Sequence, residues 1–382
     1  GSGQRDIWTI DPEAPQPKTT LVRLTSNPAL HWNPVWSPDG KSLYFGSDRD
    51  GTLNLWRIAV DETTGTPAGE AEPLLLPASF SGHFAFSQQG EMVYTTLTRA
   101  FRLLAFPFDV KSGRIGAPRL LFGGSLEILT FAPSPDGQLI AFTTAGGQED
   151  VFVARTDGTR LRQLTNDAAK DRIVTWSPDA KTLYFYSNRD GPYQIWSVNA
   201  DGSGLARVTD EGDLRRKGAG MIALPNVSPD GRTLAAQTDR FAALVHLDRP
   251  LGSRLESLEH AIDMPTWSPD GKQLAGNVYK APGGVVYSLQ TGQAEKVLDR
   301  GANPLWLPDG RHLVVFEKGS VGIVDLDSRR MRTTPIALPP GVHFGGAGIT
   351  HLSRDGSTLY LRQTLEQGDI WRMRAENRGH TR

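Results

Sequence analysis

Four histidines, His31, His83, His343 and His351, each precede or enter a short strand-like run. Imidazoles that converge can ligate a divalent metal through a neutral ring nitrogen, or contact a ligand as hydrogen-bonding or cationic groups. A second set, Arg215, Arg216 and Lys217 in the segment from Glu211 to Gly218, places three cations together and could meet an anionic partner. Acyl-transfer and nucleotide chemistry are not nominated. The chain has no Gly-x-Ser-x-Gly elbow, no Gly-x-Gly-x-x-Gly opening a helix, no phosphate loop and no dense His-Glu-x-x-His metal motif.

The elements that must hold these residues are repeated. WSPDGKSLYFGSDRDG begins at Trp36, and WSPDAKTLYFYSNRDG begins at Trp176. Variants of the Ser-Pro-Asp-Gly core end at Gly40, Gly90, Gly137, Ala180, Gly231, Gly271, Gly310 and Gly356, a period of about 45 residues. Proline presets φ for such a turn, Asp bonds its own backbone and Gly accepts the left-handed conformation. After the first turn, Ser42-Leu43-Tyr44-Phe45 is rich in β-formers and Leu53 to Ile58 alternates apolar with polar. Pro73 to Leu76 supplies a weaker fourth strand. Nothing sustains a 3.6-residue period over helical length, so two-helix solenoid repeats are excluded and four-stranded propeller blades are expected.

Composition agrees. The 382 residues include 41 Gly and 26 Pro, enough turn punctuation for one large ring. The formal net charge of −1 gives no electrostatic reason to expect nucleic acid as a partner of this segment. The absence of cysteine rules out disulfides and thiolate metal sites, and suits a periplasmic or other extracytoplasmic setting. No apolar run is long enough to span a bilayer. Gly1-Ser2-Gly3 reads as an expression scar.

The WSPDG–Lys–apolar–Tyr-Phe–Ser–Asp/Asn-Arg-Asp-Gly pattern, followed by Ile-Trp and the turn from Asn199 to Gly204, resembles the TolB-type propeller repeat. The likeness is strongest at Trp36, Trp176 and Trp267, and weakest after Phe86, where Gln88-Gln89 replaces Pro-Asp. Propellers of this type often have six blades; the eight motifs here predict eight, or seven with an irregular closing element. Similar propellers form the C-terminal part of bacterial winged-helix regulators of the CadC type and of Ser/Thr protein kinases. The resemblance also reaches oligogalacturonate lyases, which place a histidine-ligated metal near the axis.

One closed, all-β ring over residues 1–382 is therefore expected, with residues 4–25 closing it against the blade at 348–375. Leu21 to Leu24 would supply that blade's outer strand, while Asp6 to Ile10 and Asp369 to Met373 compete for its third. The repeated aspartates (Asp39, Asp136, Asp179, Asp230, Asp270 and Asp309) should brace turns, and Trp36, Trp176, Trp267 and Trp306 should pack between blades. Arg49/Asp50 and Arg189/Asp190 read as solvated turn pairs. Function must then come from what differs between blades. The expected role is non-catalytic, binding a protein, a peptide or a small ligand at an axial funnel where interblade loops converge. His31, His83, His343 and His351 would contact that ligand, with Arg215, Arg216 and Lys217 as a second patch and no cofactor. The alternative is a polysaccharide lyase or hydrolase holding a divalent metal on His31, His83 and His351.

Overall fold

The computed structural model describes residues 5–27, 29–49, 53–74, 80–124, 126–145, 148–258, 262–278, 281–299, 303–317, 319–345 and 348–374. Gly1 to Gly3, Asp50, Leu75 and Leu76, named above, lie outside these.

The Ser-Pro-Asp-Gly turns form as their chemistry dictates. In the first, the Ser37 hydroxyl donates to Asp39 Oδ1 at 2.6 Å, and the amide of Lys41 donates to the same oxygen at 3.1 Å. The amide of Ser42 closes back on Ser37 Oγ at 3.0 Å. The same bracing recurs at Asp136, Asp179, Asp230, Asp270 and Asp355. At Asp309 the turn has Leu307 in the serine position, and the carboxylate takes the His312 ring instead, at 2.7 Å. After Phe86 the turn forms without aspartate, with the Gly90 amide donating to the Ser87 carbonyl at 3.0 Å. All eight turn-closing residues, Ala180 among them, have left-handed φ between 58° and 80°.

Each turn joins the first and second strands of an antiparallel sheet. In the sheet begun by Asp171–Trp176 the order continues through Thr182–Ser187, Gln194–Asn199 and Ala206–Arg207. Sheets of the same order begin at His31–Trp36, Ile128–Pro133, Ile222–Val227, Ile262–Trp267 and Leu305–Trp306. The described residues are all-β apart from one short 3₁₀ turn and the helix Glu211–Arg216. No helix among the described residues is long and apolar enough to cross a membrane, which says nothing about β-barrels.

In place of one ring over 1–382, the chain folds into two compact units, residues 1–99 with 366–382 and residues 100–365. The eight motif turns divide between them, two in the first and six in the second.

The larger unit holds five of the sheets above and a composite sixth. Its strands run in the order Thr350–Leu352, residues 358–365, residues 100–109 and Arg119–Gly124. This replaces the expected closure. Val22–Arg23 pairs with Trp8–Thr9, not with the His351 sheet. The third strand there is neither Asp6 to Ile10 nor Asp369 to Met373, but the run containing Phe101, Leu103, Leu104, Ala105, Phe106 and Phe108, each at most 6% exposed. That run buries apolar side chains on both faces, far more surface than either competitor offers. One face of the composite sheet packs Phe101, Leu103 and Leu121 on Phe131, Ile140 and Phe142 of the next sheet. Its other face packs Leu104, Phe106 and Leu359 on Leu307, Val314 and Ile323 of the 305–335 sheet. Four more clusters join the remaining neighbours, for example Ala141 and Val153 with Val174 and Phe185.

In the smaller unit the His31–Trp36 sheet packs Leu43, Phe45 and Trp56 with Ile7 and Leu24. Its other side packs Leu55 with Phe84, Met92 and Tyr94 from the strand pair Phe80–Phe86 and 91–99.

Candidate functional site

Innermost strands of the larger unit share a local irregularity. Pairing with the second strand slips between Arg172 and Thr175, Ala223 and Asn226, and Asp263 and Thr266. Within each slip one residue is left-handed: Ile173 at φ 45°, Leu224 at 56° and Met264 at 51°, with Asn303 at 55° in the fifth sheet. None is glycine, so each holds strain on the order of 1 kcal/mol. In the sixth position the chain uses Gly348, φ 78°, where a Cβ would lie 2.8 Å from that of Thr130.

These residues line one cavity of about 690 Å³, to which all six sheets contribute. It extends to the Ser-Pro-Asp-Gly turns, whose prolines Pro135, Pro178, Pro229, Pro269 and Pro308 line it. The sixth turn carries Arg354 in the proline position, and Arg354 lines the cavity as well. Trp176, Trp267 and Trp306 complete much of the wall. Each indole N–H donates to a first-strand carbonyl of the preceding sheet: Ala132 at 3.0 Å, Asn226 at 2.9 Å and Thr266 at 3.2 Å. These three tryptophans thus fix the wall and tie neighbouring sheets together, as expected, whereas Trp36 of the smaller unit is 45% exposed.

The four histidines are not gathered there. His31 and His83 belong to the smaller unit, His343 and His351 to the larger. His31 is buried against the edge of Phe45, with Nε2 2.6 Å from Asn27 Oδ1. Burial first, and then the charge of Arg49, hold its imidazole below the ordinary value. His83 and His343 are exposed. Only His351 lines the cavity, its ring 5.0 Å from that of Phe131, and burial pushes it down to about 4, so it is neutral near pH 7. Among the described residues no three His, Asp or Glu side chains are grouped to hold a metal ion, so the set His31, His83 and His351 does not form one.

The cationic segment is a helix rather than a loop. Asp210 caps it by accepting from the Asp213 amide at 3.1 Å, and Leu214 is buried beneath it. Arg215 pairs with Glu211 at 2.5 Å, and Arg216 donates to the Gly252 carbonyl at 2.6 Å. Lys217 is exposed at the C-cap. Two of the three cations therefore serve local structure.

Arg189 is likewise no solvated turn residue. It is only 10% exposed and donates to both oxygens of the fully buried Asp171, at 3.0 and 2.8 Å, while stacking on Trp196 at 4.8 Å. Asp190 turns instead to Arg207. The cavity is lined both by the Ser-Pro-Asp-Gly turns and by residues of the segments that join one sheet to the next, Asn303, Phe344, Gly345 and Gly348; the contribution of the turns was not foreseen. Its signals were the variant LSRDG, which puts Arg354 where the other five turns of the larger unit have proline, and the recurring residue-proline pairs Leu224-Pro225, Met264-Pro265 and Asn303-Pro304.

Residues 123–247 match the family model of the TolB beta propeller domain. The uncharacterised protein Atu1656 of Agrobacterium fabrum is 27% identical over 282 residues, 68% of this chain and 88% of its own length. The Tol-Pal system protein TolB of Anaeromyxobacter dehalogenans is 30% identical over 154 residues, 40% of this chain but only 23% of that protein. Among solved structures, TolB from Acinetobacter baumannii aligns with 90% of this chain and 80% of its own, at 14% identity and a TM-score of 0.45. The family match and the TolB relatives support a TolB-type propeller for the repeats of residues 123–247.

Proposed function

We propose that residues 100–365 form a closed six-bladed propeller that acts as a non-catalytic binding module, taking its ligand in the axial cavity. The cyclic packing supports closure: each of the six sheets shares buried clusters with two others, and the composite sheet joins the 128–163 sheet to the 305–335 sheet. The observation that carries the binding role is the cavity of about 690 Å³ to which all six sheets contribute. That size suits a small ligand or one segment of a peptide. Its wall is proline, tryptophan, aliphatic and neutral polar groups with His351 and one cation, Arg354, and among the described lining residues no carboxylate stands beside His351 as an acid–base pair. A sensing role in a bacterial regulatory or signalling protein, outside the cytoplasm, fits the cysteine-free composition and the TolB-type repeats.

The test is a ligand screen read by ligand-observed NMR on the intact chain, with Leu224→Trp and Met264→Trp as blocking variants. Hits lost in both variants, with unchanged circular dichroism, are the expected result. Hits that survive both would place binding elsewhere. Turnover of any hit by the wild type would overturn the non-catalytic reading.

A further inference from the structure

The walls of the axial cavity are unequal in a way that specifies a ligand. Five of the six turns at its mouth present proline, and the sixth presents Arg354. Among the described lining residues Arg354 is the only one with a full charge at neutral pH. The turn aspartates stand at the same end of the sheets, yet none lines the cavity. Even Asp355, next to Arg354, has its oxygens occupied by the Ser353 and Ser357 hydroxyls and the Ser357 amide.

Deeper in, the wall is apolar. Ile173, Leu224 and Met264 stand at the left-handed positions, beside Phe316 and Phe344, whose rings stack 4.5 Å apart. Several polar groups there are already engaged. Thr266 Oγ1 donates to the carbonyls of Ala275 and Pro304 at 3.1 Å, and Asn303 exchanges hydrogen bonds with Asn277. Thr175 and Asn226 add neutral groups part-way along. From Ile173 to Pro178 is five residue steps, strand as far as Trp176, so along this sheet the cavity wall runs to at most ~17 Å.

We infer that this cavity binds an amphipathic monocarboxylate, its apolar chain against Ile173, Leu224, Met264 and Phe344 and its carboxylate on the guanidinium of Arg354 at the mouth. The inference rests on the axial cavity being the binding site. A planar guanidinium fork matches a carboxylate in two parallel hydrogen bonds, which a lysine ammonium cannot reproduce. The apolar depth discriminates against compact polar anions, which would leave the chain pocket unfilled and lose their own hydration. A free fatty acid and an apolar peptide C-terminus share this chemistry.

Isothermal titration of the intact chain with dodecanoate, dodecanol and an N-acetylated hydrophobic tripeptide acid separates the possibilities. Dodecanoate should bind about tenfold or more tightly than dodecanol, because the charged contact is worth more than a neutral one. Arg354→Ala and Arg354→Pro, the latter installing the residue of the other five turns, should abolish that preference while leaving dodecanol affinity unchanged. Arg354→Lys should keep part of it. Tighter binding of the tripeptide acid with the same dependence on Arg354 would support the chemistry and assign its source to a chain terminus. Equal affinity for dodecanol and dodecanoate, lost in Leu224→Trp, would overturn the carboxylate inference and leave the cavity reading intact. Binding of neither, together with screen hits indifferent to Leu224→Trp, would overturn both.

Discussion

Residues 36–51 and 176–191 differ at four of sixteen positions, yet the two copies carry different energetic weight. Their second strands are interchangeable: Leu43 and Leu183 are buried, and Phe45 and Phe185 have no exposure. Their first-strand tryptophans are not. Trp176 is 5% exposed and bonded to the preceding sheet, whereas Trp36 is 45% exposed. In the smaller unit Ile7 and Leu24, flanking the paired strands Trp8–Thr9 and Val22–Arg23, join the cluster of Leu43, Phe45 and Trp56, which does not include Trp36. Position 171 is a buried aspartate that pairs with Arg189; its counterpart in the other copy is His31, whose imidazole burial and then the charge of Arg49 hold below the ordinary value. A motif thus fixes the local strand–turn–strand geometry, and the next sheet decides what each side chain is worth.

Replacing the tryptophans should separate the units most widely. Trp176→Ala removes a buried indole and its inter-sheet bond and should cost about 4 kcal/mol. Trp36→Ala should cost about 1 kcal/mol or less, because its indole already meets solvent. Urea unfolding of both variants measures the difference, and equal costs would break the comparison.

The arginines come next. Arg189→Ala leaves Asp171 charged and buried without its partner, at a cost of about 3 kcal/mol. Arg49 stacks on Trp56 at 4.4 Å, and the position equivalent to buried Asp171 is His31, so Arg49→Ala strands no carboxylate there and should cost about 1 kcal/mol. It should also raise the pKa of His31, readable by NMR titration, since one of the influences depressing it is gone. A downward shift would contradict the assignment of that influence to Arg49.

Burial of His351 gives a pH dependence of similar origin. Its folded-state value of about 4 lies below the ordinary 6.5, so the unfolded chain takes the proton first. The stability present above pH 6.5 is therefore lost as pH falls towards 4, by about 2 kcal/mol between pH 6.5 and 5. His351→Leu should flatten that slope in unfolding curves measured across the interval. An unchanged slope would show that other groups carry it.

Much of this was legible from spacing alone, and the misses share a cause. The turns at Asp39 to Asp355 and the strands between them follow from local chemistry that any copy repeats. The division of eight turns into six and two does not, because it depends on which neighbour each sheet meets. So does the choice of residues 100–109 over Asp369 to Met373 as a third strand, which is settled by burial on two faces. The histidine cluster failed for a related reason. His31 and His83 belong to the smaller unit and His351 to the larger, a division the repeat spacing does not carry. At the site, Arg354 was visible as a broken motif, but its meaning required knowing that the five matching prolines line one mouth.

The smallest expected effect is the one that should show no difference between the copies. Asp39 and Asp179 each accept a serine hydroxyl at 2.6 Å and the amide of the following lysine, at 3.1 and 3.2 Å. In both, the serine bond is the leading reason the carboxyl sits below its ordinary value. All partners lie within the turn, and none reaches a neighbouring sheet. Asp39→Ala and Asp179→Ala should therefore each cost about 1 kcal/mol, the worth of such bonds at a partly exposed site. Asp39→Asn and Asp179→Asn, which keep an acceptor for the amide, should recover part of it equally. If Asp179→Ala proved several-fold costlier than Asp39→Ala in the same unfolding assay, the turns would be coupled to inter-sheet packing, and the separation of local geometry from neighbour-set energetics would fail.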